Sequence, residues 1–174
     1  MNSALRLFPA ALALACLAMA RQPEVSVRFH AEANPRDGEA FSKPVQLHNP
    51  DRQAFIEKVP SISEQSIKAM YPFQAKDGSW GAAFKLDNKG RLDLEVLSGE
   101  RRSSSMVIFV VTKKGIHQVI DVVIDRKIRD GVITIPQGLT ELEVAALKKQ
   151  YGALTAEQFA ALMKADPVMG MDRR

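Results

Sequence analysis

Cysteine, histidine and tryptophan are scarce in this 174-residue chain: it has one cysteine, Cys16, three histidines and one tryptophan, Trp80. A single cysteine excludes an intrachain disulfide framework and a thiolate zinc site. The histidines, His30, His48 and His117, follow neither an H-x-x-x-H nor an H-E-x-x-H spacing, so no imidazole metal set is implied. Charge of one sign is also missing. Twenty-four Lys and Arg stand against 20 Asp and Glu, giving net +4 with the signs interleaved. That balance argues against nucleic acid, whose binders gather their charge on one face. Beyond residue 20 the longest apolar run is Met106 to Val111, far short of the roughly 20 residues needed to cross a bilayer.

What is present begins at the N-terminus. Met1 to Arg6 carries one positive charge and no acid, Leu7 to Leu17 is apolar, and Ala18-Met19-Ala20 has the small-x-small form that a signal peptidase needs. These features predict a cleavable export signal over residues 1–20, cut between Ala20 and Arg21, in preference to a membrane anchor, for which the stretch is too short and interrupted by Pro9. A lipoprotein acylated at Cys16 is the lesser alternative, because Ala13 stands where a lipobox carries a large aliphatic. Removing the segment leaves 154 residues with net charge +3 and no cysteine. Such a chain makes one domain held by core packing, periplasmic or extracellular, and suits a bacterial envelope protein.

Along the rest of the chain, residues 21–53 read as an N-terminal extended arm or hairpin. Val25 to Phe29 alternates, Asn34-Pro35-Arg36-Asp37-Gly38 is a turn, and Pro44 to Leu47 is extended. Residues 54–152 read as an α+β core. Phe55 to Val59 is a strand stopped by Pro60; Ser63 caps a short helix through Met70, with Ile67 and Met70 on one face; and Lys76-Asp77-Gly78 turns into a strand from Trp80 to Leu86. Residues 88–102 suit either helix or strand and are read as a helix capped by Asn88. Met106 to Val111 is a central strand buried on both faces. His117 to Ile124 and Val132 to Ile135 follow, the latter closed by Pro136. Thr140 with Glu143 is a capping box opening a helix from Glu141 to Tyr151 that Gly152 stops. Residues 153–174 hold a last helix, opened by Thr155 with Gln158, and a tail.

Glu57-Lys58-Val59-Pro60 leading to Ser63 echoes Ile133-Thr134-Ile135-Pro136 leading to Thr140, a hint of a duplicated β-α unit. The element order predicts an α+β fold of the split βαβ, ferredoxin-like type, with a mostly antiparallel sheet, helices on one face, the N-terminal β arm and the C-terminal helix.

Phe84-Lys85-Leu86 into Gly90, Leu97-Ser98-Gly99-Glu100, Val107 to Val111, Gly131 to Ile135 and Leu139-Thr140-Glu141-Leu142-Glu143 together give the stretch from Ala54 to Tyr151 its character. In this order it resembles the periplasmic head region of SecD-type protein-export subunits. The match covers about 98 residues and is one of pattern. The resemblance implies a non-enzymatic module that contacts polypeptides outside the membrane. Translocase activity is not implied, since no transmembrane helices accompany the match.

Candidate sites are few. His117 and Asp121 share a strand face but stand about 13 Å apart along it, too far for a direct hydrogen bond. His30 shares a face with Glu32, and His48 sits in a turn; all three histidines are read as solvated or structurally paired. Arg101-Arg102-Ser103-Ser104-Ser105 joins two guanidinium groups to three hydroxyls and is the candidate site for a carboxylate or phosphate, set against a solvated basic loop. Asp125 to Gly131 places cations where calcium ligands would stand, so no metal is implied there, and Trp80 is read as core. No catalytic residue and no cofactor is implied. The reading that follows is an exported, non-catalytic binding or assembly module of the bacterial envelope, contacting other envelope proteins or extended polypeptides added to a sheet edge. The alternative is an envelope enzyme or anion-binding protein using the Arg101/Arg102 loop.

Overall fold

A computed structural model describes residues 24–165; the expected export signal, its Ala20–Arg21 junction and the end of the tail lie outside them. Among the described residues, eight strands and three α-helices follow in the order β1 (Val25–Ala31), β2 (Ser42–His48), β3 (Asp51–Glu57), β4 (Ile67–Gln74), β5 (Trp80–Leu86), α1 (Asn88–Glu100), β6 (Ser105–Thr112), β7 (Gly115–Val123), β8 (Val132–Leu139), α2 (Glu141–Tyr151) and α3 (Ala156–Lys164). The α+β class and the antiparallel pairing agree with the sequence reading. The strands are shared among two three-stranded sheets, β1-β6-β7 and β4-β5-β8, and a β2-β3 hairpin.

These parts stack because the central strands are apolar on both sides. β6 sends Met106, Ile108 and Val110 into the main core, where they meet Val25, Val27 and Phe29 of β1 and Met70, Phe84, Ile133 and Ile135 of the other sheet. Phe29 and Phe84 meet edge to face, with ring centroids 6.2 Å apart. The opposite face of β6, Val107 and Phe109, packs on Leu47, Ala54 and Ile56 of the hairpin. The first strand, grouped by the sequence with an N-terminal arm, is thus paired with β6 along its length, Val25 opposite Thr112 through Ala31 opposite Met106. Leu94 of α1 and Val144 and Leu147 of α2 complete the main core.

Three local expectations need correction. Ser63 caps only a single 3-10 turn, Glu64–Ser66, and Ile67 to Met70 belongs to β4. Pro72 biases its predecessor away from helix, and the whole segment is paired with β5, so tertiary pairing overrides the local cap. The echo of a β-α unit therefore has no second helix. The helix from Asn88 is capped by Asp87, whose carboxylate accepts from the Gly90 amide at 2.7 Å. Pro136 does not close β8; it lies within the strand where the pairing with β5 shifts register between Trp80 and Ala82, an irregularity where proline is tolerated. Both capping boxes, Thr140 with Glu143 and Thr155 with Gln158, form as the sequence predicts. No helix among the described residues is long and apolar enough to cross a membrane.

Candidate functional site

The edge strands of the two sheets, β7 and β8, are joined by the loop 124–131. At the far end they touch, where the Val119 carbonyl oxygen lies 3.2 Å from the position of a Cβ on Gly138. Toward the loop they diverge around a cavity of about 800 Å³, floored by Met106, Val122, Ile124 and Ile128 and walled by Val123, Val132 and Thr134.

Both walls are sheet edges. The Leu86 amide donates to the Gly131 carbonyl at 2.9 Å, so the alternating pattern of an antiparallel pair turns the backbone groups of Gly131, Ile133 and Ile135 toward β5 and those of Val132 and Thr134 toward the cavity. The Val132 amide is already answered by Asp130 Oδ1 at 3.0 Å. That leaves the Val132 carbonyl and the Thr134 amide and carbonyl on the open edge. Across the cavity, the Ile124 amide donates to Ser104 at 2.9 Å, which by the same alternation turns the backbone groups of Val123 outward.

The loop that closes this groove is held by specific contacts. The Ile128 side chain packs on the core while its amide donates to Ser98 Oγ at 2.8 Å. Ser98 is fully buried and donates in turn to the Leu94 carbonyl of its own helix. Gly131 has φ +63°, and a Cβ there would stand 2.8 Å from Arg91 Cγ, so glycine is required for the chain to turn into β8 against α1. Glu95 of α1 gathers Lys127 at 3.0 Å, Arg91 at 3.3 Å and Arg129 at 3.8 Å. The Lys127 hydrogen bond, outweighing a small burial effect and aided by the other cations, holds the Glu95 carboxyl below its usual range. Arg126 is exposed at the rim.

The sequence-predicted residues of the 101–105 corner are brought together only in part. Arg101 donates to the Glu32 carbonyl at 2.6 Å and to Glu57 Oε1 at 2.5 Å. Ser104 Oγ donates to the Arg101 carbonyl, and buried Ser105 donates its amide to Glu32 Oε2 at 3.0 Å. Arg102 and Ser103 are exposed, Ser103 with φ +67°. The corner thus ties α1 to β1 and β3 through Arg101 and leaves Arg102 as its outward cation.

The histidines are structurally paired, each with a group far away in sequence. His30 Nδ1 lies 2.7 Å from the Glu57 carbonyl, and burial holds its pKa below 6.5. His48 Nδ1 lies 3.2 Å from Asp121, and His117 Nδ1 lies 2.9 Å from Glu143. Burial alone would raise the Asp121 carboxyl, but the amides of His48 and Asn49 and the His48 ring outweigh it and hold it low. These partners are not legible from strand spacing, which put Asp121 on the same face as His117 but out of its reach. Among the described residues no three His, Cys, Asp or Glu side chains gather as a metal set.

Two solved structures can be set beside this geometry. Both are SecDF. One match, a membrane component SecDF that enhances protein export, has a TM-score of 0.49 at 14% identity and covers 76% of this chain and 65% of the other. The second, SecDF in a super-membrane-facing form, has a TM-score of 0.48 at 14% identity and covers 76% of this chain but 19% of SecDF. This chain therefore spans less than two thirds of either SecDF chain. No protein-family model and no curated protein matches it.

Proposed function

We propose that this chain is an exported, non-catalytic binding module of the bacterial envelope that takes up an extended stretch of polypeptide as an added strand in the groove between β7 and β8. The observation that carries this reading is the open β8 edge: the Thr134 amide and carbonyl and the Val132 carbonyl face an apolar-floored cavity and, among the described residues, have no strand beside them. Strand addition supplies affinity through main-chain bonds and is indifferent to most side chains, as a module meeting varied clients requires. The apolar floor of Val122, Ile124 and Ile128 accepts the alternate side chains that a strand turns inward.

The test is binding of an extended peptide of about eight residues to the purified full chain, followed by fluorescence anisotropy, with two N-methylated versions of the peptide. An added strand bonds through every second amide, so methylating one alternate set abolishes binding and methylating the other spares it. Equal effects of the two sets would contradict strand addition. The rival reading, an anion held by the Arg101/Arg102 loop, predicts instead that phosphorylated or carboxylated metabolites shift the melting temperature and that Arg102→Ala, at the loop's outward cation, removes the shift.

A further inference from the structure

Resting on the groove reading above, we infer that the segment taken up carries an acidic residue, which meets the cations of loop 124–131. The loop contributes Arg126, Lys127 and Arg129 against Asp125 and Asp130, and α1 contributes Arg91 and Glu95. The loop's cations outnumber its acids three to two, and Glu95 is already shared by Arg91, Lys127 and Arg129. Asp130 is turned inward: its Oδ1 accepts from the Val132 amide while its carbonyl accepts from Lys85 Nζ at 2.6 Å. Arg126 stands exposed on the rim and makes no ion pair among the described residues.

Position gives the match its specificity. A strand laid on Val132 and Thr134 ends at the loop, so its terminal side chains come within reach of Arg126 and Lys127 while its middle ones lie over the apolar floor. The partner chemistry is therefore an extended segment with apolar residues at alternate positions and an Asp or Glu at the end nearest the loop. A guanidinium pairs with a carboxylate through two parallel hydrogen bonds, which also favours one direction of the added strand over the other.

The experiment compares an alternating apolar peptide ending in Glu-Asp with the same peptide ending in Gln-Asn, each titrated against the full chain and against Arg126→Glu. Arg126 is exposed and outside the core, so the variant folds, and circular dichroism checks that it does. Tighter binding of the acidic peptide by roughly two- to fivefold, the range of an exposed ion pair, with the preference removed or reversed in Arg126→Glu, supports the inference. Equal binding of the two peptides by both proteins overturns it and leaves the groove reading intact. Failure of both peptides to bind overturns the inference and the groove reading together. Sedimentation of the free chain provides a separate outcome: a dimer dispersed by Arg126→Glu would mean that a second copy fills the groove, which also overturns the inference.

Discussion

The Val119 carbonyl oxygen of β7 lies 3.2 Å from where a Cβ on Gly138 of β8 would stand, and Gly138 holds φ +96°. Both facts require glycine at the point where the two sheets touch. Gly138→Ala must either strain the backbone or push β7 away, and is expected to cost about 1–3 kcal/mol in urea denaturation. An unchanged midpoint would show that the strands do not meet there.

Asp121 holds the hairpin against β7. Its Oδ1 accepts from the His48 amide at 3.0 Å and its Oδ2 from the Asn49 amide at 2.7 Å, and its side chain is almost wholly buried. Asp121→Ala strands both amides, so a loss of about 2–4 kcal/mol is expected in chemical denaturation. A loss below about 0.5 kcal/mol would mean that water answers those amides.

Glu143 sets a pH dependence. Burial on its own would raise its carboxyl, but the Thr140 amide, the His117 ring and the Thr140 hydroxyl hold it below 4.5. A folded value below the unfolded one contributes stability that is complete above the ordinary carboxylate range and is lost as pH falls through the folded value. The stability gap between the native chain and Glu143→Gln, measured by urea titration from neutral to about pH 3, should therefore narrow as the solution is acidified. A gap that stays constant or widens would contradict this placement of Glu143.

Arg101 and Arg102 should separate in their effects. Arg101 bonds the Glu32 carbonyl and Glu57 but is more than a third exposed, so Arg101→Ala is expected to cost only about 1 kcal/mol. Arg102 is exposed, and Arg102→Ala should change stability by less than about 0.5 kcal/mol. Equal losses in thermal melts would show that both arginines share one structural network.

Local signals in the sequence were reliable where the chemistry is local. Thr140 with Glu143 and Thr155 with Gln158 are capping boxes because donor and acceptor lie one turn apart, and Met106 to Val111 is so uniformly apolar that only a doubly covered strand suits it. Ser63 misled because its cap is real but the chain beyond it is claimed by β5, a partner more than ten residues away. Asp121 with His48 and Arg101 with Glu57 join residues 73 and 44 apart, and no spacing rule reaches so far. The groove is of the same kind. Its loop reads as Asp125 to Gly131 in the sequence, but its walls exist only because β7 and β8 end up on different sheets.

Hydrogen exchange at the Thr134 amide tests the central claim most directly, because that group faces the groove with no strand beside it among the described residues. The account predicts rapid exchange in the free chain and marked slowing when an extended peptide is bound, with the neighbouring Ile133 amide protected in both states. A Thr134 amide that is already protected in the free chain, or that exchanges at the same rate with peptide bound, would contradict it.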